Sequence, residues 1–232
     1  MMKLLDLYEA LALNELKNLH MAEGGTIKET EKSSIVLHTN NALTRLYSRF
    51  PLKESNLYLE MRGFLTTYHL SSKYAQSNYD PAAGHSFYIN DMGNPFKDDV
   101  LRVLSVYDGW ARKLPLNDRH AWRSVFTPTP TTLQIQHPME GHALNVHYQA
   151  SHPRLNVASP DDPIHLPEFL HGALTAYIGY KVLSNINTQE SNAKAAELLR
   201  TFESICVEVI EQDLVTTGGI TGDIRFEKNG WR

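Results

Sequence analysis

Only one of the 232 residues is a cysteine, Cys206. A single thiol excludes an intrachain disulfide and any metal site built from several thiolates. It falls on the apolar face of a predicted helix, where a thiol acts as a small hydrophobe rather than a nucleophile. The chain also has no run of about 18 apolar residues, so no membrane-crossing helix is expected. Its start, Met1-Met2-Lys3-Leu4-Leu5-Asp6, has no long apolar core of a secretory signal, and export by that route is not expected. No charge dominates: 22 Lys and Arg stand against 26 Asp and Glu, a net charge of −4. A general nucleic-acid binder normally shows a basic excess. There is no glycine-rich phosphate loop ending in Lys-Ser/Thr and no Gly-x-Ser-x-Gly elbow. Asp161 and Asp162 are adjacent, so their side chains diverge in extended chain and read as a solvated loop. No internal repeat or low-complexity tract is visible. No enzymatic activity and no cofactor are expected.

What is present is strong helical periodicity at both ends. Leu166-Pro167-Glu168 opens a helix, since Pro at the first helical position loses no hydrogen bond and Glu suits the positive helix end. Phe169, Ala173, Leu174, Tyr177 and Tyr180 follow at three- and four-residue steps. After a polar turn over 185–192, a second helix carries Ala195, Leu198, Leu199, Phe202, Ile205, Cys206, Val209 and Ile210 on one face. Its other face carries Lys194, Glu197, Arg200, Glu203, Glu208 and Glu211. Two amphipathic helices joined by a short turn predict an antiparallel hairpin, which needs a further partner to bury its apolar face. Residues 4–21 predict a helix with Leu4, Leu7, Tyr8, Leu11, Ala12, Leu16 and Leu19 on one stripe, stopped by Gly24-Gly25. Residues 33–49 predict another, with Ile35, Ala42, Leu43, Leu46 and Tyr47, stopped at Phe50-Pro51.

Between them the period switches to two. Alternation over 57–61, 101–107, 133–136 and 144–149 predicts an antiparallel sheet with one wet face, the 101–107 strand being covered on both faces. Pro128 and Pro130 make 127–132 a rigid connection rather than a strand. Residues 71–98 show little periodicity, and loops of that length are usually functional or mobile. The expected fold is therefore α+β. A helical bundle comes from 1–54 and 161–214, an inserted antiparallel β region from 55–160, and an extended C-terminal arm from 215–232.

Three groups of residues are candidates for function. His137, His142, His147 and His152 are spaced by five, which on a strand alternates faces and argues against one metal cluster; His165 and His171 lie six apart across a helix start. No metal is expected. Tyr74, Tyr79, Phe87 and Tyr88 in the long loop are read as pins for that loop or packing against a neighbouring subunit, with stacking on sugar rings as the rival. The arm is too glycine-rich for helix, yet it alternates apolar residues. Ile220, Ile224, Phe226 and Trp231 suit an extended segment laid along a partner's sheet edge or groove, with Trp231 as anchor.

Several patterns, in order along the chain, resemble the head-to-tail adaptor proteins of short-tailed bacteriophages, the tail tubular protein A type, in the branch found in N4-like phages. Glu15-Leu16-Lys17-Asn18-Leu19 resembles the end of that family's first helix. Asn41-Ala42-Leu43-Thr44-Arg45-Leu46, running to Arg49-Phe50, resembles its second. Leu114-Pro115-Leu116-Asn117, Ser124-Val125-Phe126-Thr127-Pro128 and Tyr148-Gln149-Ala150-Ser151-His152 are similar in the sheet region. Leu166-Pro167, Ala173-Leu174 and Tyr177 resemble its third helix. Arg225-Phe226-Glu227-Lys228-Asn229-Gly230-Trp231 resembles its ending. The likeness touches most of the chain, with 71–98 outside it.

The resemblance implies a virion structural protein at the capsid–tail junction, made in the host cytoplasm. It would form a closed ring, about twelve copies in that family, binding the portal protein on one side and tail nozzle or tail-fibre proteins on the other. DNA would pass through the channel without specific binding. Glu197, Glu203, Glu208 and Glu211 are the candidate channel lining, since repeated negative charge repels DNA; an ordinary solvated helix face explains them equally. A rival reading is a glycan-binding accessory domain of a phage or bacterial surface assembly, using the β region and the aromatic loop. A second is a metal-dependent hydrolase using the histidine-rich strands.

Overall fold

A computed structural model describes residues 2–78, 84 and 86–215. Among them are four α-helices, α1 (Leu4–Leu13), α2 (Glu29–Arg49), α3 (His171–Ile186) and α4 (Gln189–Glu211). The strands are β1 (Ala22–Glu23), β2 (Thr26–Ile27), β3 (Glu54–Glu60), β4 (Thr67–His69), β5 (Ile89–Asn90), β6 (Val100–Asp108), β7 (Lys113–Leu114), β8 (Val125–Thr129), β9 (Thr132–Ile135) and β10 (Ala143–Ala150). All named strand pairs are antiparallel: a β1–β2 hairpin, a five-stranded sheet ordered β5-β3-β10-β6-β7, and a three-stranded sheet ordered β4-β9-β8. The protein is α+β.

The α3–α4 hairpin has the clearest local logic. Asn187 ends α3 in the left-handed conformation that Asn tolerates. Thr188 then caps α4: its hydroxyl accepts from the Ser191 backbone N–H, and Ser191 Oγ accepts from the Thr188 N–H. Gly179 sits where the hairpin packs tightest. A Cβ there would stand 2.8 Å from Leu198 Cδ1 and 3.1 Å from Glu15 Cβ. All four helices contribute to one apolar core, with Leu7, Leu43, Leu174 and Phe202 fully or almost fully buried within it. Cys206 is buried there too, and burial pushes its thiol pKa up.

The two larger sheets share a second core. Leu57, Val106 and Val146 come from the five-stranded sheet; Tyr68, Val125 and Leu133 come from the three-stranded sheet. β10 is the central strand, with Val146 opposite Leu57 on one side and Val106 on the other. β6 shifts register against it twice, leaving Leu104 and Leu101 as extra residues. A bulge reverses which face the following residues take. Val103 thus packs on the β core and Leu101 on the helical core.

Four sequence expectations are corrected. The first helix stops at Leu13, because Asn14 turns its side chain back onto the Ala10 carbonyl at 3.0 Å. Gly24 and Gly25, with φ of 60° and 80°, form the β1–β2 hairpin turn rather than a helix stop. The Pro128 segment is strand β8. It lies on a sheet edge, and Pro128 falls inside the register irregularity between Phe126 and Thr129, so no ladder donor is missed. The single expected sheet is two facing sheets, and the outer face of the larger one is wet only in part.

At its other end that outer face meets the helices. Gln149 is fully buried; its Nε2 donates to the Phe50 carbonyl at 2.8 Å and to the Tyr47 carbonyl. Asn40 on α2 holds the Leu155 backbone at both N–H (2.9 Å) and carbonyl (3.1 Å). His152 lies edge-on to Tyr47, and its Nε2 accepts the His165 backbone N–H at 3.0 Å. Nε2 therefore carries no proton, and Nδ1 donates to the Pro153 carbonyl at 2.5 Å. Burial lowers the His152 pKa, in keeping with that neutral ring.

Candidate interaction surfaces

The acidic face of α4 does not act as one set. Glu203 reaches across to α2, with Arg49 Nη1 at 2.6 Å and Arg45 Nη2 at 3.1 Å. The Arg49 bond leads in holding its carboxyl below the usual range. Arg45 also lies over the Tyr177 and Phe202 rings. Glu203 thus belongs to the helix packing, whereas Glu197, Glu208 and Glu211 are exposed. Ile210, read in sequence as part of the buried face, is 57% exposed. With Val207 one turn earlier and Leu214 just past the helix end it forms an exposed aliphatic stripe. Ile220, Ile224, Phe226 and Trp231 lie outside the described residues.

The long loop is pinned by its aromatic rings. Tyr88 is buried, stacks on Tyr74 at 4.9 Å and meets Tyr68 edge-on at 5.2 Å. Its hydroxyl accepts from the His69 N–H and donates to the His69 carbonyl, while burial pushes its pKa up. Asp91, which the periodicity gave no reason to single out, organises the rest. Its carboxylate accepts the backbone N–H groups of Ser77 and Phe96 and the Ser77 hydroxyl. Burial pushes the Asp91 pKa up, but the Ser77 and Phe96 bonds outweigh it and the net shift is down. Tyr79 lies outside the described residues.

The histidines are dispersed to different tasks. His147 pairs with Glu54 at 3.1 Å on the open sheet face, and His152 is in the helix–sheet seam. His137 and His142 both line a cleft at the end of the β region. Among the described residues no three His, Cys, Asp or Glu side chains gather as a metal ion requires.

That cleft holds about 190 Å³ between the two sheets. Its floor is apolar: Met61, Val125, Ile135 and Leu144. Trp110 and Trp122 stand at its mouth, 61% and 75% exposed. Each indole is held. Trp122 stacks on His137 with centroids 4.4 Å apart and planes 17° from parallel; Trp110 meets His142 edge-on at 5.8 Å and lies under the Arg112 guanidinium. The backbones presenting them are fixed as well. Asn117 takes the Thr127 N–H on its Oδ1 at 2.8 Å and donates Nδ2 to the Thr127 hydroxyl, closing the loop that carries Trp122. The turn carrying His142 is tied to β3's end through Met61, by Gly141 N–H to Met61 O at 2.9 Å and Met61 N–H to His142 O at 2.8 Å.

Asp108 is the buried charge of the cleft. It ends β6, and its Oδ1 accepts the N–H groups of Trp110 (3.0 Å) and Arg112 (2.9 Å), shaping the β6–β7 turn. The Arg112 N–H leads in holding its carboxyl below the usual range, against the upward push of burial. The side chain is only 10% exposed, and Oδ2 accepts no hydrogen bond from the described residues. Arg112 Nε stands 3.7 Å from it, an ion-pair separation beyond hydrogen-bond reach. Sequence reading passed over Trp110 and Trp122. The available signal was a turn-prone Asp-Gly followed by two tryptophans among Arg112, Arg119 and Arg123, where a core tryptophan is out of place.

Compared with known protein families and with curated proteins, the chain matches no family and no curated sequence.

Proposed function

We propose that this chain is a virion structural protein, the head-to-tail adaptor that joins portal to tail and forms part of the DNA channel. On this reading the helical bundle of 1–54 and 161–214 forms the ring body and carries the β region of 55–160 outward. Residues 215–232 are the arm, with Ile220, Ile224, Phe226 and Trp231 gripping the portal or a neighbouring subunit. Glu197, Glu208 and Glu211 face the channel, where like charge lets DNA slide; Glu203 is withdrawn from that role by Arg45 and Arg49.

The observation that carries the reading, beside the ordered motif resemblance, is the exposed stripe of Val207, Ile210 and Leu214. It runs directly toward residue 215, where the proposed arm begins. Exposed aliphatic surface on an otherwise charged helix marks a packing face for another protein. The strand edges contribute less, since β5 and β7 have two residues each and β8 carries Pro128.

Electron microscopy of the purified chain, alone and with purified portal protein, tests this. Closed rings capped on the portal are expected, with more than about 1,000 Å² buried between neighbours. A chain that stays monomeric at high concentration and ignores the portal overturns the reading. Deleting 221–232 should leave a folded, soluble subunit that no longer stays on the portal.

A further inference from the structure

The cleft between the two tryptophans has a chemistry of its own, independent of the adaptor reading. We propose that it binds a six-membered saccharide ring, stacked on Trp110 or Trp122 and hydrogen-bonded to Asp108.

Three observations meet here. The first is the pair of indoles. Exposed tryptophans lose rotamer freedom on binding, but these two are already oriented, Trp122 by His137 and Trp110 by His142 and Arg112. An indole face is the negative side of its quadrupole. The C–H face of a saccharide ring is apolar and weakly positive, and it matches that surface. The second is size. A cavity of about 150 Å³ accepts benzene, so a cleft of about 190 Å³ takes one six-membered ring while further units remain in solvent.

The third is the unused Oδ2 of Asp108. A carboxylate oxygen kept from water, with an ion-pair neighbour but no hydrogen bond, loses stability, and a donor within reach relieves it. A saccharide hydroxyl is such a donor, and it also accepts, so the same ligand answers Arg123 and Gln136, both in the lining. Arg112 lies over Trp110 and stands 3.7 Å from Oδ2, which leaves that oxygen's hydrogen bond to the entering hydroxyl. A nucleic acid suits the site less well. Its phosphates would sit against the Asp108 charge.

The chain has three tryptophans. A Trp231→Phe background leaves Trp110 and Trp122 as the only indoles, so intrinsic fluorescence reports directly on the cleft. The probes are maltotriose, the trimer of N-acetylglucosamine, the trimer of galacturonic acid, and a thymidine oligonucleotide. Saturable quenching or a spectral shift by at least one saccharide is expected at concentrations up to about 10 mM. Asp108→Asn keeps the acceptor that shapes the turn but removes the charge, and should weaken binding about tenfold. Trp122→Ala removes a side chain that is mostly in solvent; it should weaken binding at least as much and leave the circular dichroism spectrum unchanged. Silence with all three saccharides overturns the proposal. So does a response to the oligonucleotide alone, or saccharide binding that survives both substitutions. Ring formation on the portal is read separately, so either result leaves the adaptor reading to its own test.

Discussion

Two of the exposed apolar surfaces of the protein differ in kind. On α4 the surface is aliphatic: Val207, Ile210 and Leu214 along a helix, bordered by exposed Glu208 and Glu211. At the end of the β region it is aromatic and concave, with a buried charged oxygen beside it. An aliphatic stripe offers area and no directional bond, which suits another protein's apolar face. Two fixed indoles around a small cavity offer little area but a defined geometry, which suits a ring. Between these surfaces lie two cores whose stability should not depend on either one.

That separation can be tested by substitution. The largest loss should come from Phe202→Ala in the helical core, about 3–5 kcal/mol in a denaturant titration. Loss of less than about 1 kcal/mol would mean that α4 is not held as described. Asp91→Ala should cost the β region about 1–3 kcal/mol, since three donors lose their acceptor. Hydrogen exchange should place that loss in 72–96 and leave α3 and α4 protected.

Acid should act on two buried histidines, His152 in the seam and His38 on α2. Burial lowers the pKa values of His38 and His152 below their ordinary 6.5. The unfolded chain then binds more protons than the folded one below that pH. Stability is fully present above 6.5 and falls as pH drops through the lowered native values. His152→Gln should flatten the stability curve between about pH 7 and about pH 5. A second decline belongs below 4.5, where Glu203, held low by Arg49, becomes protonated. Glu203→Gln should cost less than about 1 kcal/mol at neutral pH, because the pair is partly in water.

The smallest effects should be at the two surfaces themselves. Ile210→Asp and Trp122→Ala should each change stability by less than about 0.5 kcal/mol. Ile210→Asp should nevertheless abolish ring assembly, and Trp122→Ala should spare it. If both abolish assembly, the two surfaces are one interface and the comparison fails.

Helix α4 was legible because its apolar residues keep a 3.6 period and its cap is a Thr three residues before a Ser. β10 and β9 were legible because apolar residues alternate with polar ones along each, although that alternation did not show that Gln149 and Thr132 are buried. The failures have particular causes. Residues 14–21 keep apolar spacing after α1 ends, since Leu16 still packs in the helical core, and periodicity does not reveal an Asn that turns the chain. In β6 two bulges make alternation misassign faces. Pro128 reads as a strand breaker unless the sheet edge is known. The Trp110–Trp122 cleft joins residues from three separate turns, and its floor comes from both sheets. No window of sequence holds it.

Gln149 has a mechanical consequence. It sits on the central strand of the larger sheet and grips the Tyr47 and Phe50 carbonyls at the C-terminal end of α2, where helix carbonyls have no partner of their own. The larger sheet is therefore joined to the helices directly, and not only through the loops between them. Any shift of β10 along its length bears on the last turn of α2, a 21-residue helix that is itself tied to α4 through Arg45 and Arg49.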